Sequence, residues 1–260
     1  MSRLSRIPDS GSGRYAPVHR GIYPCRMGFE TIRLITFDCY GTLIDWENGM
    51  LAALRPLFSR DGRRVPDAQL LEVYGDIEAE IEAGPYLRYR EVLAETARQM
   101  GRRLGITISD AEGKAFAESL ARWKPFVDTI PALQSLAQKF RLGIISNVDD
   151  DLFAETRKKF APVEFDFVVT AQQMQSYKPA LRNFAEAVRR SGLSKDQILH
   201  AGQSLYHDVA PANALGIRNV WVNRPSIRPG SGAAKPGSAQ PAYEVRTLAE
   251  LSALVSAASA

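Results

Sequence analysis

Cysteine is nearly absent, with Cys25 and Cys39 the only two in 260 residues. Two such residues, one in the leading segment and one beside a candidate acidic site, exclude a disulfide framework and fit a reducing compartment, so a cytoplasmic location is expected. No run approaches the roughly 18 apolar residues of a membrane span. The opening residues also lack the apolar stretch of about 7 to 15 that a secretory signal requires. They are Arg-rich and acid-poor, which is compatible with an organelle transit peptide; the plainer expectation is an upstream extension before a start at Met27. A basic stripe is missing too. The formal net charge is +4, and Arg3, Arg6, Arg14, Arg20 and Arg26 against Asp9 account for all of it. The rest of the chain is formally neutral, so neither nucleic acid nor a membrane surface is an expected partner. No internal repeat occurs.

What remains is an ordinary globular composition, 45% hydrophobic, long enough for one large domain or a core with an inserted subdomain. Residues 1–29, rich in Ser, Gly, Arg and Pro, are expected to be disordered. Short apolar runs at 32–37, 142–145, 165–170, 198–201 and 220–222 read as strands. Helical patterns at 132–140, 151–159, 183–190, 210–215 and 247–255 follow or separate them, and this alternation implies a parallel sheet covered on both faces. Between the first and second strands, residues 49–125 carry only three-and-four apolar spacing, as in Leu70-Leu71-Tyr74-Ile77-Ile81. This predicts a helical cap over the sheet's active edge, with 30–48 and 126–260 forming the core. Residues 224–241, heavy in Pro, Gly, Ser and Ala, are expected to be a mobile loop.

Polar residues cluster where the apolar runs end. Asp38 ends the first and is followed by Cys39-Tyr40-Gly41-Thr42. Ser146 and Asn147 follow the second, Lys178 the third, and Gln203, Ser204 and Asp208 the fourth. In an open α/β sheet these strand ends share one edge, where ligands bind. An early carboxylate, then Ser, Lys and Asp at successive strand ends, resembles the haloacid dehalogenase superfamily from about residue 30 onward. The segment Asp38 to Leu43, Ser146-Asn147 and Tyr177-Lys178-Pro179 are similar to the type II L-2-haloacid dehalogenase branch. The run Phe37 to Trp46 and Ser204-Leu205-Tyr206-His207-Asp208 are also similar to azetidine-2-carboxylate hydrolases. The resemblance implies an α/β, Rossmann-like three-layer parallel sheet core with an inserted helical cap.

Each position has a physical role in such chemistry. Asp38 is the candidate nucleophile, splitting one displacement into two steps through an ester. Lys178 keeps it ionised. Thr42 braces it, and Asp208 orients or deprotonates the hydrolytic water. Tyr40, Ser146, Asn147, Gln203 and Ser204 are candidate substrate contacts. Superfamily phosphatases carry a second Asp two residues after the nucleophile and an acid opening the fourth motif; here those places hold Tyr40 and Gln203. Losing both disfavours protonation of an alkoxide and binding of a hard cation. The expectation is a cofactor-free hydrolase of a small 2-substituted carboxylate, first of a carbon–halogen bond. The alternatives are carbon–nitrogen hydrolysis of a strained cyclic amino acid, a magnesium-dependent phosphatase, or a non-catalytic binding protein. A homodimer is compatible with any of these. The lid arginine of dehalogenases has no counterpart near Tyr74-Gly75-Asp76, so Arg88 or Arg90 is expected to reach in instead. Asp149-Asp150-Asp151 reads as a helix start and His200 as a satisfied core residue.

Overall fold

The computed structural model describes residues 28–60, 62–228 and 232–257. The segment expected to be disordered lies outside them as far as residue 27. Phe29 is described, and it is buried in a 3-10 turn with its ring 4.9 Å from Tyr243, so it belongs to the core and not to a disordered leader.

Six strands form one parallel sheet in the order β3-β2-β1-β4-β5-β6, with β1 at Leu34–Phe37, β2 at Arg141–Ser146, β3 at Phe167–Thr170, β4 at Ile198–Gly202, β5 at Arg218–Val222 and β6 at Tyr243–Val245. The central strands are buried on both faces, as parallel strands between helical layers must be. Leu34, Ile145 and Ile198 point to one side, against Phe184, Ala187 and Ala212. Ile35, Phe37, Leu142, Ile144, Leu199 and Ala201 point to the other.

The helices are α1 (Trp46–Leu57), α2 (Asp67–Glu82), α3 (Tyr89–Leu104), α4 (Asp110–Ser119), α5 (Thr129–Ala137), α6 (Asp150–Arg157), α7 (Ala171–Met174), α8 (Leu181–Ser191), α9 (Ala210–Leu215) and α10 (Leu248–Ala257). The first five intervene between β1 and β2, and the first four of these make up the insertion. Helix α1 begins at Trp46, inside the stretch 30–48 expected to belong to the core, because the Asp45 side chain caps it by accepting from Asn48 N.

One other expectation is corrected. Residues 224–241 are not a free loop where they are described. Ala233 and Ala234 are buried, and Glu47 of α1 accepts from Ala233 N (2.8 Å) and from Ser226 Oγ (2.7 Å). A strand follows at Tyr243–Val245, too short at three residues to announce itself by alternation. The insertion is also tied to the sheet by a buried acid. Asp149 accepts from the backbone N–H groups of Tyr89 (2.9 Å) and Arg90 (3.1 Å), which satisfies the exposed donors at the start of α3. Among the described residues no helix is long and apolar enough to cross a membrane.

Candidate active site

At the carboxyl edge of the sheet, β1 ends at Phe37, and Asp38 N still reaches Ala201 O of β4 (3.0 Å), so the Asp38 carboxylate rises from the sheet's centre. The chain then turns sharply. Gly41 has φ +94°, and a Cβ there would lie 2.9 Å from Trp46 Nε1, so glycine both permits the turn and leaves room for the indole. The turn brings Thr42 back, and its hydroxyl donates to Asp38 Oδ2 (2.7 Å) while accepting from Gln203 N (2.9 Å). One side chain thereby fixes the ends of β1 and β4 to each other.

Lys178 is 2% exposed and uses its ammonium fully, on Asp38 Oδ1 (2.8 Å), Asp208 Oδ1 (2.7 Å) and Ile145 O (3.0 Å). Asn147 holds this lysine from behind: its Oδ1 accepts from Lys178 N (2.7 Å) and its Nδ2 donates to Lys178 O (3.3 Å). Asp208 sits on a π-helical turn, Leu205–Val209, a geometry common at functional sites. It packs so closely on β4 that a Cβ at Gly202 would lie 2.4 Å from its Cγ. Ser204 N donates to its other oxygen (3.1 Å), and His200 Nε2 lies 3.3 Å from Oδ1. His200 also meets Thr36 Oγ1 (2.9 Å), so it is a satisfied core residue that helps orient Asp208.

The charges are unequal in consequence. Burial raises the Asp38 carboxyl above its usual range; the Lys178 ammonium pulls it back, and the Asp208 charge pushes it up again. Burial also works against ionised Asp208, yet Lys178 and His200 outweigh it and hold that carboxyl well below its usual range. Asp208 is therefore an orienting charge and a poor proton acceptor.

A cavity of about 40 Å³ lies over Asp38, lined by Tyr40, Ser146, Asn147, Lys178, Gln203, Ser204 and Asp208 from the sheet side. The insertion contributes Trp46, Glu78, Glu82 and Tyr89, and the later turns His207 and Ala234. All the expected site residues except Arg88 therefore converge. Arg88 stands at the start of α3, where Asp149 (3.8 Å), Asp151 (3.5 Å) and Gln172 (3.3 Å) draw its guanidinium away from the cavity. Arg90 likewise turns to Asp149 and Asp151. Asp150 meets Thr170 and Gln173 instead, whereas Asp149 and Asp151 share the two arginines. The Tyr40 hydroxyl is engaged by Thr156 (2.9 Å), and burial keeps it protonated far above the usual range.

Two functional candidates escaped the sequence reading. Glu78 accepts from Tyr74 (2.5 Å) and Tyr89 (2.8 Å), and Glu82 accepts from Asn147 Nδ2 (3.2 Å). The signal was their spacing: on α2 both acids fall on or beside the stripe of Leu70, Leu71, Tyr74, Ile77 and Ile81, where a charge is unexpected.

The four oxygens of Asp38 and Asp208 already receive an ammonium, a hydroxyl or a backbone N–H, and the place of a third acid is taken by neutral Gln203. Among the described residues, no group of three or more His, Cys, Asp or Glu is arranged to hold a metal ion.

Fold and site together define a parallel-sheet α/β protein with a buried aspartate–lysine–aspartate centre beneath a helical insertion. The chain belongs to the haloacid dehalogenase-like hydrolase family, whose model matches residues 32–216. It is similar to the (S)-2-haloacid dehalogenase of Pseudomonas putida, 25% identical over 228 residues covering 86% of this chain and 96% of that protein. Haloacetate dehalogenase H-2 of a Moraxella species is 25% identical over 200 residues, 75% of this chain and 87% of that one. Among solved structures, the L-2-haloacid dehalogenase of Xanthobacter autotrophicus superposes with a TM-score of 0.72 at 21% identity, over 86% of this chain and 98% of that one.

Proposed function

We propose that the protein hydrolyses a carbon–heteroatom bond at the 2-position of a small carboxylic acid, with Asp38 as nucleophile and an ester as intermediate. The observation that carries this reading is Lys178 bridging Asp38 and Asp208 at 2.8 and 2.7 Å in a buried, polar cavity. The ammonium keeps the attacking carboxylate ionised against burial, and Thr42 restrains its other oxygen, so the attacking lone pair is held in one orientation. Asp208 then orients water at the ester carbonyl, whose developing negative charge lies beside Lys178.

The relatives favour halide as the leaving group. Halide departs without a proton, which agrees with Tyr40 in the place of a general acid. A second reading, an amine leaving group, is favoured by a specific observation: the insertion offers Glu78 and Glu82 to the cavity, and neither Arg88 nor Arg90 reaches it. The test of the common core is turnover of L-2-chloropropionate and of L-azetidine-2-carboxylate with and without a chelator. Product from at least one, at a rate the chelator leaves unchanged, is expected. Inactivity on both, with magnesium-dependent release of phosphate from a phosphomonoester, would overturn the proposal.

A further inference from the structure

We infer that Arg224 is a positioning residue for the Asp38 carboxylate, acting on it through Thr42. The inference takes from the proposed function only the role of Asp38 as nucleophile.

Strand β5 puts this arginine on the right edge of the sheet. It ends at Val222, and Arg224 follows two residues later at the carboxyl edge from which Asp38 also rises. Arg224 is 7% exposed, and its donors are committed in two directions. Nε (3.2 Å) and Nη2 (2.9 Å) both donate to Thr42 O, while Nη1 donates to the two carboxylate oxygens of Asp128, each at 2.9 Å. The Phe126 ring lies against the guanidinium, its centroid 4.1 Å from Cζ. Asp128 is anchored in turn, since Leu248 N at the start of α10 donates to its Oδ2 (2.7 Å).

A buried guanidinium is a costly way to pack a turn. Burial lowers its pKa, and the hydrogen bond and charge of Asp128 work against that. An apolar side chain would fill the space without the cost, so what arginine adds is direction: a planar fork that meets a carbonyl along one edge and a carboxylate along the other. No backbone N–H among the described residues donates to Thr42 O, so this carbonyl depends on the guanidinium.

Thr42 carries the restraint to Asp38 within one residue. Its carbonyl is held by Arg224, while its hydroxyl donates to Asp38 Oδ2 (2.7 Å) and accepts from Gln203 N (2.9 Å). The residue before it is Gly41 at φ +94°, whose freedom gives the turn little stiffness of its own. The hydroxyl is therefore placed by what grips Thr42 from outside the turn. The two linkers of the helical insertion meet at the same spot. Asp45 N donates to Lys124 O (2.8 Å), and Phe126 N (3.1 Å) and Thr129 Oγ1 (2.8 Å) donate to Leu43 O. Arg224 touches both linkers, Thr42 on the outgoing one and Phe126 and Asp128 on the returning one. It thus fixes Thr42 where any displacement of the insertion would otherwise pass to the nucleophile.

The test reads the Asp38 carboxyl directly. Burial raises its pKa, and the Thr42 hydroxyl is among the groups that pull it down again, so a misplaced hydroxyl should raise the titration further. In protein labelled with carboxyl-carbon-13 aspartate, the Asp38 resonance, assigned by its loss in Asp38→Asn, should titrate higher in Thr42→Val and higher in Arg224→Met. The double variant should go no higher than Thr42→Val alone, because both changes act through one hydroxyl, whereas the loss of a distant charge would add to it. On whichever of L-2-chloropropionate and L-azetidine-2-carboxylate the wild type turns over, Arg224→Met should lower kcat on the order of a hundredfold and change KM by less than about twofold. A wild-type Asp38 titration in Arg224→Met, or shifts that add in full in the double variant, would overturn the inference. If Arg224→Met does not fold, Arg224→Lys keeps the charge without the fork and should show a smaller shift of the same sign; no shift there would overturn the inference equally. The titration decides the matter even in a protein inactive on both acids, an outcome that would count against the proposed function alone.

Discussion

Replacing Lys178 with Met lowers stability by about 3 to 5 kcal/mol and turnover by a factor on the order of 10³. The lysine ammonium is bonded to two buried carboxylates, with side chains 11% and 1% exposed for Asp38 and Asp208. Removing it leaves both charges without their counter-ion in a poorly solvating site, so one carboxyl must take up a proton on folding. Asp208 is the group with most to lose, because its low pKa depends on Lys178. At roughly 2 to 4 °C per kcal/mol for a chain of this size, the melting temperature should fall by about 10 °C. Adding Asp208→Asn to Lys178→Met should recover part of the stability and none of the turnover, since the second change removes a stranded charge and restores nothing to Asp38. Thermal melts and steady-state rates on the three variants check this.

Asp38→Asn separates chemistry from stability in the opposite sense. The amide keeps the shape of the carboxylate but is a far weaker nucleophile, so turnover should fall by about 10⁴ or more. Stability should hold or rise slightly. Wild-type Lys178 serves two carboxylates with one charge, and the variant leaves a balanced pair with Asp208. The pH dependence follows from the sign of each shift. The Asp38 carboxyl is raised by burial above its ordinary 3.8, so over that window the folded chain binds more protons than the unfolded one and stability declines as pH rises. Asp208 is lowered; its contribution is present above the unfolded value and is lost only in stronger acid. Urea denaturation from about pH 4 to 6 should therefore show less decline in the Asn variant than in the wild type.

Much of this arrangement is legible in the chain because its logic is local. Each strand is a short apolar run, and the residue that ends it faces the sheet edge by construction, which places Asp38 and Ser146; Lys178 and Asp208 reach them from the turns that follow β3 and β4. Residues whose direction is set by a partner far away in sequence were not legible. Arg88 was expected in the cavity, but Asp149, on a loop 61 residues later, draws it outward and also takes the first N–H groups of α3. Composition made 224–241 look free, whereas Glu47 on α1 fastens it. Glu78 and Glu82 were hidden by the opposite fault. A charged residue on an apolar stripe is commonly read as the stripe's edge, and only the fold shows Tyr74, Tyr89 and Asn147 ready to satisfy such acids in the interior.

The central claim is that a solvent oxygen reaches the product only by way of Asp38. With enzyme in excess over L-azetidine-2-carboxylate or L-2-chloropropionate in water enriched in oxygen-18, one turnover should leave the label in the peptide containing Asp38, a gain of about 2 Da, and an unlabelled hydroxyl in the product. A labelled product formed in that first turnover beside an unlabelled Asp38 would mean that water attacks the substrate directly, and would contradict the account.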